Sequence, residues 1–101
     1  MEEHNARVHI AAAIGVICGG FYFGVSRLEW VALVISIVIV IAAEIFNTAI
    51  EDIADFISPG RHEKIKRIKD LASAGVLVCA AGAFATGLII FLPKLVILCG
   101  E

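Results

Sequence analysis

The stretch Trp30-Val-Ala-Leu-Val-Ile-Ser-Ile-Val-Ile-Val-Ile-Ala-Ala43 carries no charge, and it runs directly into Glu44-Ile-Phe-Asn-Thr-Ala-Ile-Glu51-Asp-Ile-Ala-Asp55. The first part reads as a membrane helix, rich in Val and Ile and facing lipid. In the second part Glu44, Asn47, Thr48, Glu51 and Asp55 return at steps of three and four. At ~100° per residue, Glu44, Glu51 and Asp55 fall within about 40° of one another, with Thr48 beside them. A polar stripe therefore occupies the last turns of this helix and continues into water.

A bilayer core is ~30 Å thick and a helix rises ~1.5 Å per residue. With Trp30 at one interface, Glu44 lies ~21 Å in and Glu51 ~31 Å in. Glu44 is then within reach of a lipid hydroxyl, and Glu51 within reach of a soluble phosphate donor and its metal. One helix face joins a lipid-side carboxylate to a water-side carboxylate. An ionisable group inside a span costs roughly 2.5–3.5 kcal/mol on insertion scales, so the stripe is expected to face the protein interior.

The chain has 101 residues, 60% of them apolar, and a net charge of −2. So small a soluble domain cannot hide that much apolar surface. The apolar residues come in long blocks, which read as spans. The weak net charge gives no electrostatic case for nucleic acid as a partner. Cys18, Cys79 and Cys99 are odd in number, far apart and without metal-ligand spacing; they read as small apolar packing residues.

Taken in order, residues 1–7 are polar and acidic at the start, unlike the basic beginning of a secretory signal. The expected spans are about 8–25, 28–50 and 70–92, in one domain covering 1–101. The first carries Ala11, Gly15 and Gly19, and again Gly20 and Gly24, at steps of four; the third carries Gly75, Cys79, Ala83 and Gly87 likewise. Small residues at that spacing let helices approach closely in lipid. Ser26 to Glu29 form a short polar turn, and Pro93-Lys94 close the third span. Ser58-Pro59-Gly60 breaks the second helix. Arg61, Lys64, Lys66, Arg67 and Lys69 follow, five of the chain's eight basic residues. Positive charge favours the cytoplasmic side, which puts the N-terminus and the 52–70 loop there and the first turn outside.

Phosphoryl transfer needs neutralisation of phosphate charge, a metal, and a base or positioner for the attacking hydroxyl. Glu51 suits Mg²⁺, which takes a few carboxylates together with phosphate oxygens and water. Glu44, partly out of water, suits a general base. Lys69, with Lys66 and Arg61 near it in sequence, suits phosphate charge, and Asn47 lies one turn from both acids. The plainer reading is that polar groups bind helices together, and Thr48 fits it. A bare carboxylate is a costly adhesive, which favours function at Glu44.

Glu44-Ile-Phe-Asn-Thr-Ala-Ile-Glu51, then Asp55, Ser-Pro-Gly-Arg-His (58–62) and Lys-Asp-Leu-Ala-Ser-Ala (69–74) closely resemble the prokaryotic diacylglycerol kinase family. The tail Phe-Leu-Pro-Lys-Leu (91–95) looks like its Gram-positive branch, whose members favour undecaprenol over diacylglycerol. The resemblance implies an all-α integral membrane protein, a homotrimer of three-span subunits with active sites shared between neighbours. It implies ATP- and Mg²⁺-dependent phosphorylation of a membrane lipid alcohol in the cytoplasmic (inner) membrane. Matched by position, Glu44 is the catalytic base, and Glu51 and Glu3 hold the metal and lie near ATP. Gly60, Arg61 and His62 form one nucleotide-contacting stretch, and Lys69 and Asp70 another. Asn5, His9, Trp30, Asn47 and Ser73 fall, with Glu44, where the lipid is contacted. Relatives carry an acidic and an aromatic residue where Gly60 and Arg61 stand. They also carry an amphipathic surface helix ahead of Glu3, expected to be absent here. That last difference gives weight to an alternative: a non-enzymatic membrane protein whose carboxylate stripe lines an ion or proton path.

Overall fold

The computed structural model describes residues 3–58, 60 and 62–100, with side chains from Arg7 onward. It contains three helices: α1 (Glu3–Phe23), α2 (Arg27–Ile57) and α3 (Glu63–Gly100). They form an elongated bundle of 58 × 22 × 17 Å. α2 and α3 make the more extensive contact, and α1 touches α2 more sparingly.

Local chemistry explains the tight connection between α1 and α2. Gly24 adopts φ +61°, and the Val25 N–H donates to the Gly20 carbonyl at 3.1 Å. This six-residue closure satisfies a terminal helix carbonyl, and the left-handed residue inside it favours glycine. Ser26 then caps α2: its hydroxyl accepts from the Glu29 N–H at 3.2 Å, and Glu29 accepts from the Ser26 N–H at 2.9 Å. Such a reciprocal pair satisfies two orphan donors at a helix start. The turn is thus Gly24–Ser26, upstream of the expected Ser26–Glu29. Gly24 serves the turn and not a helix-packing seam.

Pro93 does not end α3 as the sequence reading expects; the helix continues to Gly100. Lys94 donates to Glu29 at 2.9 Å and fastens this region to the start of α2. Beside that tie lies the apolar core of Val25, Leu33 and Ile90, with Phe23, Trp30 and Phe91 packed against it. The Trp30 ring lies over Gly20, where a methyl group would meet it at 2.5 Å, and Phe91 lies over Gly19. Half of the first-helix seam therefore receives aromatic rings from the same chain.

Beyond this cluster the bundle turns its large apolar side chains outward. Val38 is 58% exposed, Phe46 67% and Leu77 69%. Apolar surface on this scale suits lipid and not water. Among the described residues α2 and α3 are long and apolar enough to cross a membrane, while the apolar part of α1, Arg7–Phe23, is shorter. The chain is an all-helical membrane protein.

Candidate functional site

At the opposite end of α2 from the apolar core, burial becomes polar. Glu44 is 6% exposed and Asn47 7%. Asn47 donates its amide nitrogen to Oε2 of Glu51 at 3.0 Å, one turn further on. From α1, Nε2 of His9 comes to 3.1 Å from Oε2 of Glu44. The pair is close but lacks the alignment of a hydrogen bond, so Glu44 Oε2 and Asn47 Oδ1 are buried polar atoms without a hydrogen-bond partner in the chain. Two unsatisfied acceptors side by side on one helix face are unusual in a folded protein and suit a site that receives donors from outside.

His9 also lines an apolar cleft of about 400 Å³ bounded by all three helices, with Ala12 and Val16 of α1, Val40 of α2, and Ala83 and Phe84 of α3. An apolar space that ends beside a few polar groups has the make-up of a ligand site.

One to three turns along α2 the surface becomes ionic. Lys69 of α3 donates to Oδ1 of Asp55. That hydrogen bond, together with the negative charges of Asp55 and Glu51, holds the Lys69 ammonium above the usual lysine range. Lys66 donates to Asp70 at 3.0 Å on an exposed face. His62 precedes α3, and its Nδ1 accepts from the Lys64 N–H at 3.1 Å, which makes it a helix cap.

The structure thus brings together His9, Glu44, Asn47 and Glu51, with Lys69 close enough to Glu51 to feel its charge. It keeps Trp30 apart, in the aromatic cluster at the other end of α2. Ser73 and Gly60 are exposed. The side chains of Glu3 and Asn5, and Arg61 as a whole, lie outside the described residues. Thr48 does not bridge helices; its hydroxyl donates to the Glu44 carbonyl at 3.0 Å, within α2. Sequence reasoning missed the pairing of His9 with Glu44 and of Asp55 with Lys69. Both cross between helices, and no local spacing encodes them.

Among the described residues no three His, Cys, Asp or Glu side chains cluster as a closed metal cage. Glu51, with the unpaired Asn47 carbonyl beside it, fits instead the incomplete protein shell that Mg²⁺ shares with phosphate oxygens and water.

A sequence profile of the prokaryotic diacylglycerol kinases matches residues 1–91. The chain belongs to that family. Among its relatives is the undecaprenol kinase of Bacillus subtilis, 40% identical over 92% of this chain and 76% of its own length. The diacylglycerol kinase of Haemophilus influenzae is 34% identical over 70% of this chain. The diacylglycerol kinase of Escherichia coli K12 is 34% identical over 78% of it. The match spans 62% of each of those two enzymes. No solved structure matches the chain significantly. Membership of the family makes the protein a lipid kinase by class.

Proposed function

We propose that this family member crosses the cytoplasmic (inner) membrane three times, assembles as a homotrimer, and uses ATP with Mg²⁺ to phosphorylate a lipid alcohol. Undecaprenol is the first candidate acceptor, supported by the Bacillus relative, and diacylglycerol the second. The observation that carries the proposal is the buried Glu44 carboxylate. It stands beside His9 at an apolar cleft, two turns along one helix from Glu51.

In this reading the lipid chain lies in the apolar cleft and its hydroxyl meets Glu44. Glu44 takes the hydroxyl proton, the oxygen attacks the γ-phosphorus, and ADP leaves with the electrons of the broken bridge bond. Glu51 and Glu3 would hold Mg²⁺, which would supply charge neutralisation for the phosphates. Asn47 fixes the Glu51 carboxylate. Lys69, kept protonated by Asp55, lies on the water side, where it stabilises charge on the transferring group. Gly60, Arg61, His62 and Asp70 border the nucleotide, while Asn5, Trp30 and Ser73 serve the lipid. Trp30 is 14 residues from Glu44 along α2, ~21 Å on a helix, so only a long chain contacts both. The N-terminus and the 52–70 loop face the cytoplasm, where ATP is.

The test is phosphate transfer by purified Glu44→Gln protein to undecaprenol and to diacylglycerol. Turnover is expected to fall at least ~100-fold with either acceptor, the scale of a lost general base. Wild-type turnover would remove Glu44 from the mechanism, and the ratio of the two acceptors in the parent protein gives the natural lipid.

A further inference from the structure

His9 brings an imidazole from α1 to within 3.1 Å of the buried carboxylate on α2. The His9 side chain is 26% exposed and that of Glu44 8%. A carboxylate so enclosed, with a buried oxygen that lacks a hydrogen-bond partner in the chain, has little contact with water for returning a proton. The imidazole beside it is the better-solvated member of the pair, and imidazole exchanges protons at neutral pH. From α2 the ionisable group that meets His9 is Glu44. From α3 the cleft brings Ala80, Ala83 and Phe84, which do not ionise. Arg7 stands two residues away on α1, ~160° around the helix.

We infer that His9 is the positioning and proton-accepting partner of Glu44, holding the carboxylate from α1 and taking over the proton it removes from the lipid hydroxyl. The inference rests on Glu44 being the base. In the step, the hydroxyl proton passes to the Glu44 carboxylate as the oxygen bonds to the γ-phosphorus and ADP departs. The resulting carboxylic acid gives its proton to Nε2 of neutral His9. The imidazolium releases one proton to water, and both side chains return to their starting charge. This role differs from lipid contact, which the family resemblance implies for the same position.

The two roles separate in kinetics on the full chain in lipid nanodiscs. Removing a proton acceptor lowers kcat, whereas removing a contact made equally in ground and transition states raises KM. His9→Gln and His9→Ala are expected to lower kcat ~10-fold or more while KM for the lipid moves by less than about twofold. Added imidazole restores part of the rate of His9→Ala and none of His9→Gln, whose side chain fills the space. Unchanged kcat, a rise confined to KM, or a kcat loss in His9→Ala that imidazole does not rescue overturns the inference. A measurement that keeps His9 intact stands apart from these variants. The ¹⁵N resonance of His9 Nε2 is expected to move when Glu44 is changed to Gln, and a stationary resonance counts against the pairing. If Glu44→Gln itself keeps wild-type turnover, the base assignment fails. If Glu44→Gln is inactive while the His9 variants behave as the parent, this inference alone fails.

Discussion

Asn47 divides its amide between two tasks. Its nitrogen donates to Glu51, and its carbonyl is buried without a partner. A hydrogen bond to a charged acceptor is worth about 1.5–3 kcal/mol, which corresponds to roughly 10- to 100-fold in an equilibrium constant. Asn47→Ala removes the donor that orients Glu51 but leaves Glu44 in place. The expected result is a KM for MgATP raised ~10-fold, with the KM for lipid near that of the parent, measured by varying MgATP at saturating lipid. A rise confined to the KM for lipid would show that Asn47 belongs to the lipid side instead. This residue was legible before the fold was known, because steps of three and four place it between Glu44 and Glu51 on any helix. Thr48 was misread from the same pattern, since a helical hydroxyl can turn back to the carbonyl four residues earlier and bridge nothing. His9 showed only as an isolated histidine, because its meaning depends on how α1 lies against α2.

At the scale of the helix pair, Gly20 and Trp30 set the spacing of α1 and α2. A methyl group at Gly20 would approach the indole to 2.5 Å, so Gly20→Ala forces the ring or the helix to move. Overpacking of this kind costs about 1–3 kcal/mol. A lower melting temperature of Gly20→Ala by circular dichroism in detergent is expected. Adding Trp30→Leu should recover part of the loss, because the smaller side chain leaves room for the methyl. The α2–α3 pair is tied at its polar end by Lys69 and Asp55. Here the bound lysine titrates above its ordinary value of 10.5. A raised value in the folded state means that the tie is fully present below the unfolded lysine value and is lost as pH rises through the folded one. The lysine therefore keeps its charge throughout the neutral range. Asp55→Asn lets the Lys69 value drop, so the alkaline limb of kcat/KM for MgATP is expected at lower pH than in the parent. A limb that does not move would mean that another group sets it. The helices themselves were foreseeable from uninterrupted apolar blocks. The end of α2 at Ile57 was foreseeable too, from Ser58-Pro59-Gly60. The turn between α1 and α2 and the run of α3 past Pro93 were not, because Gly24, Ser26 and Lys94 act through backbone geometry and a contact 65 residues away in sequence.

For the molecule as a whole, the decisive feature is how little of the third helix this chain covers. Ile90 is its one buried residue among those described. A methyl group added at Gly75, Gly82 or Gly87 would meet nothing within 4 Å, in contrast to Gly19 and Gly20. The small residues Gly75, Cys79, Ala83 and Gly87 recur every fourth position; Ala83 and Gly87 border the three-helix cleft, and the chain leaves open space at both glycines. Lipid tails are as apolar as a leucine side chain, so such a stripe gains nothing by facing them, whereas close backbone approach between helices does use small residues. A neighbouring subunit is the occupant that fits, and it would also enclose the cleft beside Glu44. Gly75→Leu is the informative substitution, because the chain's own packing leaves room for the larger side chain. The expected outcome is an unchanged helical signal, with the proposed trimer weakened toward monomer in light scattering or cross-linking, and activity falling in step with assembly. A variant that stays trimeric and active would locate the subunit contact on another face of α3.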